Sequence, residues 1–404
     1  MPRVTRPIYL DHNATTPCDA SVVAAMMPYF SEEFGNAASR THAFGWRAEA
    51  AVERARGQVA ALVGADAREI VFTSGATEAN NLALFGAARA RRRESNGKLD
   101  HVITCRTEHR AVLDPCLALE REGFRVTLLG VGPDGLLDPR ALEAALDPRT
   151  ALVSIMHANN EIGVVQPLEP LARAAAGAGA AFHSDAAQSA GALPLDVTQL
   201  GVDFLSLSAH KLYGPKGIGA LVVRRRSPRA RIEPILHGGG HERGLRSGTL
   251  PVALCVGFGA AAELARARRE ADAARHRHLR ERLLARLSAE LPALVLNGHA
   301  EARLPANLNV SFLGVEGEAL LAALPELALS AGSACTSAKR EPSHVLRALG
   351  AGEARALSAL RFGIGRGNDE AEIDAAAELV IAQVRRLRAL SPVWDELRRG
   401  DARP

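Results

Sequence analysis

An alternation of short β-rich runs and longer Ala/Leu-rich stretches over residues 69–223 constrains the fold more than any other feature. Seven runs are predicted as strands: EIVFT, HVITC, RVTLLGV, ALVSIMH, AFHSDA, DFLSLSA and GIGALVV. Helical stretches of about 10–17 residues separate most of them, which is typical of an α/β fold whose mainly parallel sheet is covered on both faces. Only a short Gly/Pro turn joins the last two runs, so we expect the seventh strand to run antiparallel.

The remainder of the chain predicts one long helix and a second, smaller unit. Residues 251–288 are rich in Ala and Arg and hold few helix breakers, which predicts a spine between two lobes. From residue 290 onward, strands and helices mix in the manner of an α+β domain. We expect a large α/β domain over residues 15–260 and a small α+β domain that combines residues 1–14 with 261–404.

Properties of the whole chain exclude several classes of function. The net charge of +4 is too small to indicate a nucleic-acid partner. No apolar run reaches the roughly 18 residues of a membrane span, and the N-terminus lacks an apolar signal core, so we expect a cytoplasmic protein without membrane contact. The five cysteines are widely spaced and form no C-x-x-C pair, which indicates neither a disulfide framework nor a metal site.

Lysine is scarce, and its positions are therefore informative. Only four of the 49 basic residues are lysines: Lys98, Lys211, Lys216 and Lys339. Arginine cannot replace lysine where a neutral amine is needed, because the guanidinium stays protonated. Lys211 follows a strand in the motif SLSAHKLYGPKG, and ligands of open α/β sheets bind at the carboxyl ends of the strands. An amine at that edge can form a Schiff base with an aldehyde, whereas a plain surface lysine is the alternative.

An acid is expected beside this lysine. Asp185 ends the strand of FHSDAAQSAG and precedes Lys211 by 26 residues, which is about one strand-to-strand step of the fold. Both groups therefore belong to one sheet edge, where a pyridoxal cofactor needs a lysine for the imine and an acid for the pyridinium nitrogen. Taken alone, Asp185 is better explained as a helix N-cap.

A phosphate site is expected at the segment FTSGATEANN, where a strand leads into a helix. Free N–H groups and the positive end of the helix dipole favour an anion at such a helix start. The alternative is ordinary capping, with Ser74 paired to Thr77 or Thr77 paired to Asn80. Combined with Lys211 and Asp185, the segment predicts a cradle for the phosphate of pyridoxal phosphate.

Two further segments, TEHRAVLD and HANNEIGVVQP, each follow a predicted strand and point to the same edge. The imidazole of His109 is suited to stack on the cofactor ring. The amide of Asn160, or that of Gln188, is suited to hydrogen-bond the phenolic oxygen of the ring. Structural turns are the alternative interpretation of each segment.

Cys335 lies alone in the run SAGSACTSA, among the smallest side chains. A free cysteine is usually a small buried hydrophobe, and that interpretation suits Cys105 and Cys255 in their apolar runs. It does not suit Cys335, whose neighbours give little resistance to movement. The segment therefore predicts a reactive thiol on a mobile arm.

Taken together and in order, the motifs resemble the cysteine desulfurases of the IscS/NifS type, which are class-V aminotransferase-like, fold-type I pyridoxal phosphate enzymes. The resemblance runs from about residue 8 to about residue 396. It implies the fold-type I architecture, with a mainly parallel seven-stranded sheet in the large domain. The motifs that carry it are YLDHNATTP, FGNAASRTHAFG, FTSGATE, TEHRAVLD, MHANNEIGVVQP, SAHKLYGPKGIGAL, GGGHERGLRSGTLP and SAGSACTSA.

The resemblance also implies a role for each matching residue. Lys211 would hold the cofactor, Asp185 would pair with its pyridine nitrogen, and His109 would stack on its ring and move protons. Cys335 would be the nucleophile, and Thr249 would reach the phosphate from the other subunit of a homodimer. The remaining implied contacts are Asn160 and Gln188 to the ring oxygen, Ala76, Thr77, Ser208 and His210 to the phosphate, and Arg361 with Asn160 to the substrate.

The implied reaction is the removal of sulfur from L-cysteine, which gives L-alanine and a persulfide on Cys335. The sulfur would pass to an iron–sulfur scaffold protein, and the tRNA-thiolation pathway is a further implied acceptor. The resemblance implies no resident metal, although Cys335 would contact a nascent iron–sulfur cluster transiently. The sequence departs from the family pattern at Lys339 and Arg340 and in its short C-terminal tail.

Two alternatives stay open at this point. Within enzymes, a related lyase acting on selenocysteine or cysteine sulfinate is the nearest rival, although its cysteine loop is typically shorter or differently built. From a different class, the protein would be a sulfur-relay docking protein, and the five arginines of residues 224–231 would form its anionic-partner surface. A solvated loop is the simpler interpretation of that arginine run.

Overall fold

The computed structural model describes residues 7–225, 231–331 and 342–399. Within these ranges no helix is long and apolar enough to cross a membrane. Three short 3-10 helices, Ala67–Glu69, Ala209–Lys211 and Glu242–Gly244, join the main elements. The described strands are β1 (Ile8–Tyr9), β2 (Ile70–Thr73), β3 (His101–Cys105), β4 (Arg125–Leu129), β5 (Thr150–Ser154), β6 (Ala181–Asp185), β7 (Phe204–Ser208), β8 (Gly219–Val223), β9 (Leu294–Leu296), β10 (Asn307–Phe312), β11 (Leu327–Ala328) and β12 (Ala359–Gly363).

The described helices alternate with these strands in the first two thirds of the chain and then dominate its end. They are α1 (Ala20–Met26), α2 (Pro28–Ser31), α3 (Ala43–Leu62), α4 (Ala76–Glu94), α5 (Arg110–Arg121), α6 (Pro139–Ala145), α7 (Leu168–Gly177), α8 (Val252–Glu290), α9 (Gly317–Ala322), α10 (His344–Ala348), α11 (Glu353–Leu357), α12 (Glu370–Arg388) and α13 (Pro392–Arg399).

A seven-stranded sheet in the order β2-β8-β7-β6-β5-β3-β4 forms the centre of the molecule. The five strands from β7 to β4 are parallel to one another, whereas β8 runs antiparallel to both β7 and β2. All seven predicted strands are present, and the antiparallel direction of the last one is confirmed. The expected α/β fold with a mainly parallel sheet is therefore confirmed.

The sheet is apolar on both faces because helices cover both of them. Ile70 and Phe72 of β2 belong to a core shared with α3, α7 and α8, whereas Val71 between them belongs to a core shared with α4 and α5. This alternation repeats along β3, where Ile103 and Val102 face opposite cores. Such strands are continuously hydrophobic, which is the expected pattern for a buried parallel sheet.

A three-stranded antiparallel sheet in the order β12-β10-β9 forms a second apolar core with α9, α12 and the last turns of α8. Helix α8 contributes Phe258 to the core of the large sheet and Leu283 to this second core. Its 39 residues span about 58 Å, and Gly259 lets it approach α3, because a Cβ at that position would lie 2.6 Å from the Cα of Ala55.

The predicted division of the chain at residue 260 falls inside α8, which is continuous there. The domain boundaries therefore stay a prediction. The helix itself matches the expected spine over residues 251–288, because Ala, Leu and Arg favour helix and Pro292 follows its end at Glu290.

A buried ion pair joins the edge of the large sheet to the Gly-rich segment 237–251. The guanidinium of Arg56 donates to Glu242 through Nη1 at 2.7 Å and through Nη2 at 2.8 Å, and it also donates to the carbonyl of Ile70. Glu242 in turn accepts the backbone N–H of Phe72 at 2.7 Å. Both charged side chains are almost completely buried, so each depends on the other for neutralisation.

Replacing Arg56 by Met should destabilise the fold by about 3–5 kcal/mol, because it leaves the carboxylate of Glu242 buried without its partner. The measurement is the free energy of unfolding from urea denaturation. Arg68→Met is the matched control, since Arg68 pairs with Asp66 at the solvent-exposed surface and its loss should cost less than about 1 kcal/mol. Equal stability of the two variants would contradict the assigned role of the Arg56–Glu242 pair.

Candidate active site

A cavity of about 420 Å³ opens beyond the carboxyl ends of β6 and β7, beside the first turn of α4. This is the edge at which open α/β sheets bind their ligands. Ten of the residues proposed from the sequence line this one cavity: Ala76, Thr77, His109, Asn160, Asp185, Gln188, Ser208, His210, Lys211 and Arg361. The structure therefore brings together segments that lie up to 285 residues apart in the chain.

Asp185 is the last residue of β6 and is almost fully buried. Its Oδ2 accepts a hydrogen bond from Asn80 Nδ2 at 2.6 Å, and its Oδ1 accepts one from the backbone N–H of Ala187 at 2.9 Å. The local bond to Ala187 resembles the capping alternative, but the contact with Asn80 reaches across from α4. These two donors orient the carboxylate at the cavity wall.

The first turn of α4 offers N–H groups that no side chain caps. The N-cap residue is Gly75, with a φ of 153°, and it makes no side-chain capping hydrogen bond. The alternative of ordinary capping by Ser74 or Thr77 is therefore wrong. A Cβ on Gly219 of β8 would lie 2.7 Å from the Cα of Gly75, so only glycine at position 219 lets β8 approach this turn.

Lys211 ends the short helix that follows β7, and its ammonium donates to two carbonyls of the N-terminal segment. Its Nζ lies 2.6 Å from the carbonyl oxygen of Asn13 and 2.7 Å from that of Ala14. Strands β6 and β7 are parallel neighbours with Asp185 opposite Ser206. This pairing places the amine and the acid at one edge, in the arrangement expected from their sequence spacing.

Two histidines of the cavity have lowered pKa values. Burial, with the ammonium of Lys211, lowers the pKa of His109, whereas Asp185 acts in the opposite direction. Burial and the ammonium groups of Lys211 and Lys216 lower the pKa of His210 to about 4. The imidazole of His109 caps α5 by accepting the Ala111 N–H at Nδ1 over 3.1 Å, so the neutral ring carries its proton on Nε2.

Arg361 lies on β12 of the second sheet and reaches the cavity from the opposite side. Its guanidinium donates to the carbonyl oxygen of Asn160 at 2.9 Å and pairs with the carboxylate of Asp11 at 2.7 Å. Its Nε is buried and has no hydrogen-bond partner among the described residues. A planar cation with an unused donor suits a carboxylate ligand.

Asn13 is a site residue that sequence reasoning missed. Its side chain donates to Gln188 Oε1 at 3.1 Å, and its backbone carbonyl accepts from Gln188 Nε2 at 2.9 Å. The Oδ1 of Asn13 accepts from Asn307 of β10 at 3.1 Å. The motif YLDHNATTP signalled that this segment matters, but no local pattern assigned a task to any one of its residues.

Glu161, the residue after Asn160, is a second group that the sequence did not identify. Its carboxylate is buried and accepts a short hydrogen bond from the hydroxyl of Ser343, the N-cap of α10. Burial raises the pKa of Glu161 to about 7, against the opposing effects of Ser343 and Arg361. The pair fixes the start of α10, just beyond the segment 332–341 that carries Cys335.

Two of the proposed residues are not brought to the cavity by the described chain. Thr249 lies on the exposed surface just before α8 and does not line the cavity of its own subunit. Cys335 lies outside the described residues, as do Lys339 and Arg340. Among the described residues no group of three or more His, Cys, Asp or Glu side chains is arranged to hold a metal ion.

The donor set of the cavity fits pyridoxal phosphate. It combines an amine at Lys211, a doubly hydrogen-bonded carboxylate at Asp185 and uncapped N–H groups at the start of α4. Asn80 also buries an Oδ1 atom that has no partner among the described residues. An imine-forming group, an acid for the pyridinium nitrogen and an anion cradle are the three features that this cofactor requires.

Comparisons with known proteins agree with this chemistry. Residues 8–376 match the aminotransferase class-V family. The chain is 59% identical over 394 residues to "Cysteine desulfurase IscS" of Anaeromyxobacter sp. (strain Fw109-5), with 98% of this chain and 96% of that protein covered. Among solved structures, a "NIFS-LIKE PROTEIN" has a TM-score of 0.86 at 34% identity, covering 94% of this chain and 100% of its own.

A second solved structure, "SspA in complex with cysteine", has a TM-score of 0.78 at 38% identity and covers 89% of this chain and 99% of its own. The chain belongs to the class-V aminotransferase family, and it is an enzyme whose cofactor is pyridoxal phosphate. Within that family it belongs to the cysteine desulfurases.

Glu161→Gln should change how stability depends on pH. The pKa of Glu161 in the folded protein, about 7, lies above its ordinary value of 4.5. The folded protein therefore retains this proton longer than the unfolded chain, and stability is lost as the pH rises through that window. Relative to wild type, the variant should gain about 1–3 kcal/mol between pH 4.5 and pH 8. Urea unfolding at several pH values measures this difference.

The matched control for this experiment is Glu169→Gln, at an exposed position near the start of α7. It removes the same charge without a buried partner, so its unfolding free energy should parallel that of wild type across the pH range. Parallel curves for wild type and Glu161→Gln would show that burial does not perturb Glu161.

Proposed function

We propose that this protein removes sulfur from L-cysteine and releases L-alanine, with the sulfur captured as a persulfide on Cys335. One observation carries the proposal. A single cavity holds an amine, an acid, an anion cradle and a guanidinium whose Nε has no hydrogen-bond partner among the described residues. The relative solved in complex with cysteine supports L-cysteine as the substrate. The alternative of a lyase for selenocysteine or cysteine sulfinate is not favoured, since the curated relatives are named cysteine desulfurases.

Pyridoxal phosphate, when bound, accepts the electron pair that is released at the α-carbon of the substrate. In this proposal Lys211 holds the cofactor, and the carboxylate of Asp185 keeps its ring nitrogen protonated. The first turn of α4, with Ala76 and Thr77, binds the phosphate together with Ser208 and His210. Gln188 and Asn160 contact the ring oxygen.

Arg361 binds the α-carboxylate of L-cysteine in this proposal. The contacts with Asn160 and Asp11 use two of the five N–H groups of the guanidinium, and its Nε has no partner among the described residues. A buried guanidinium forms charge-assisted hydrogen bonds that are stronger than neutral ones, so the carboxylate fixes the orientation of the amino acid.

His109 supplies a proton from Nε2. Its Nδ1 is occupied by the Ala111 N–H, and its lowered pKa keeps the ring neutral near pH 7, so one tautomer is favoured. A neutral imidazole with a fixed tautomer donates from one defined atom. The ring also lines the cavity, which suits the implied stacking on the cofactor.

Cys335 attacks the substrate sulfur as a thiolate. The new S–S bond forms as the Cβ–S bond of the substrate breaks, and the electron pair of that bond stays on carbon, which is protonated to give alanine. Three of the four described cysteines are poorly suited to this role. Cys105, Cys116 and Cys255 are buried, and burial raises their thiol pKa values to about 11, 12 and 12, which disfavours the nucleophilic thiolate.

The protein acts as a homodimer in this proposal, with Thr249 completing the phosphate site of the partner. An aromatic patch supports a second copy as the neighbour: Phe30, Phe34, Phe44 and Trp46 are large side chains left exposed. The rings of Phe34 and Phe44 lie 5.2 Å apart. Residues 36–38 also share a cleft with residues 241–243 and Leu250, so a partner on this patch would lie beside Thr249.

The persulfide sulfur passes to an iron–sulfur scaffold protein, or to another acceptor such as a tRNA-thiolation protein, in the cytoplasm. The first two residues of the arginine run contact one carboxylate. Arg224 forms a largely buried ion pair with Glu69 at 3.1 Å, and the backbone N–H of Arg225 donates to the same carboxylate. Residues 226–230 lie outside the described chain.

Lys211→Ala should abolish the yellow colour that bound pyridoxal phosphate gives the protein, because it removes the amine that forms the imine with the cofactor aldehyde. Lys216→Ala, the matched control on the same cavity wall, should keep the visible absorbance. Retention of the wild-type spectrum by Lys211→Ala would show that the cofactor is held elsewhere.

Cys335→Ala should keep the colour and lose persulfide formation, with sulfide release from L-cysteine lowered by about 10²-fold or more, because the nucleophile is removed. Sulfide and alanine are measured in the presence of a reductant, and the persulfide is detected by alkylation and mass spectrometry. Cys18→Ala is the matched control, since Cys18 is half-buried and does not line the cavity. A Cys335→Ala variant with wild-type turnover would identify a different nucleophile.

Phe34→Glu should convert a dimer into monomers of 42.7 kDa and weaken cofactor retention, because a buried charge at the interface costs several kcal/mol. Light scattering after size exclusion measures the mass. Leu390→Glu is the control, since Leu390 is 74% exposed and lies after α12, apart from the aromatic patch. A wild-type monomer, or a dimeric Phe34→Glu protein, would refute the interface.

A further inference from the structure

The N-terminal segment around Asp11 is inserted between the strand that carries Arg361 and the segment that leads to Cys335. The backbone N–H of Leu10 donates to Ala328 at 3.0 Å, and the carbonyl of Leu10 accepts from Gly363. The backbone N–H of His12 donates back to Gly363 at 3.1 Å. Asp11 is therefore fixed by backbone hydrogen bonds to both neighbours.

The carboxylate of Asp11 joins the two neighbours through one oxygen. Its Oδ1 accepts from Arg361 Nη2 at 2.7 Å and from the hydroxyl of Ser330 at 3.0 Å. Arg361 and Ser330 also contact each other directly, because the backbone N–H of Arg361 donates to the carbonyl of Ser330 at 2.8 Å. Ser330 is two residues before the segment 332–341 that carries Cys335.

Burial strengthens the interaction between Asp11 and the guanidinium of Arg361. The side chains of Arg361 and Asp11 are 6% and 17% exposed, so water screens their interaction weakly. The carbonyl of Asn160 accepts from Nη1, and Asp11 accepts from Nη2, which together define the plane of the guanidinium. Nε is buried and has no hydrogen-bond partner among the described residues.

We propose that Asp11 is a positioning residue that aims Arg361 at the substrate α-carboxylate and links it to Ser330, at the start of the Cys335 segment. This inference rests on the proposed function. A substrate carboxylate at Arg361 shares the guanidinium with Asp11, and the same Asp11 oxygen holds Ser330. Binding of the substrate carboxylate to Arg361 thereby affects Asp11 and, through it, Ser330, which precedes the segment that carries Cys335.

The test compares two ligands that differ only in the carboxylate. L-Cysteine and cysteamine are titrated into the pyridoxal phosphate-loaded enzyme, in a Cys335→Ala background that prevents turnover, and binding is followed by the visible spectrum. Asp11→Asn should raise the apparent Kd for L-cysteine by about tenfold, the effect of losing a charge-assisted hydrogen bond. The apparent Kd for cysteamine should change by less than about twofold, since it has no group for Arg361.

Asp272→Asn is the matched control. Asp272 forms a comparable, largely buried ion pair with Arg366 at 2.6 Å, but neither residue lines the cofactor cavity. This variant should leave the ratio of the two Kd values unchanged. Thermal unfolding of each variant establishes that it is folded. If Asp11→Asn is unstable, Asp11→Glu replaces it in the test. This second variant keeps the charge and should retain part of the affinity for L-cysteine.

Ser330→Ala tests the link to the thiol in the enzyme with Cys335 intact. It leaves the Asp11–Arg361 pair in place, so the KM for L-cysteine should stay within about twofold of wild type, while the single-turnover rate of persulfide formation on Cys335 should fall several-fold. An unchanged rate would remove Ser330 from the proposal.

If Asp11→Asn raised the apparent Kd values for L-cysteine and cysteamine equally, Asp11 would have a general structural role and the inference would be overturned. Unchanged Kd values for both ligands would overturn it as well. These outcomes are distinct from failure of the proposed function. If wild type released no alanine or sulfide from L-cysteine, the reaction would be refuted, whereas the carboxylate-dependent ratio would still report on Asp11 and Arg361.

Discussion

The parallel pairing of β6 with β7 is the constraint on which the active site depends. Asp185 lies opposite Ser206, and Lys211 follows shortly after the end of β7, so the hydrogen-bond ladder of the sheet sets the distance between acid and amine. The ladder is buried on both faces and cannot slip by one residue without turning every apolar side chain to the wrong core. The chemistry of the cavity is thereby fixed by the packing of the sheet.

The fold and the centre of the site were predictable because their signals are local. Each parallel strand is a short apolar run, α8 is a long stretch of helix formers, Asp185 ends β6 and Lys211 follows shortly after β7. The chemistry of lysine added a signal of its own, since arginine could not replace it. The order of the motifs then supplied roles for residues whose individual patterns are ambiguous.

Asp11 and Glu161 were not predictable, because their significance lies in partners distant in sequence. Asp11 contacts Arg361, which lies 350 residues later in the sequence, and Glu161 contacts Ser343, which lies 182 residues later. A single acid in a loop carries no periodicity that indicates its partner. Thr249 shows the related limit: its predicted role depends on a second subunit, and one chain places it on the surface.

The position of residues 8–14 has a consequence for synthesis on the ribosome. This segment is translated before its backbone partners Ala328 and Gly363, which follow Leu10 by 318 and 353 residues. The large sheet can form while the nascent chain is still growing. The hydrogen bonds of Leu10 to Ala328 and Gly363 therefore form after the strands of the large sheet have been translated, so the cavity wall that carries Arg361 is completed late.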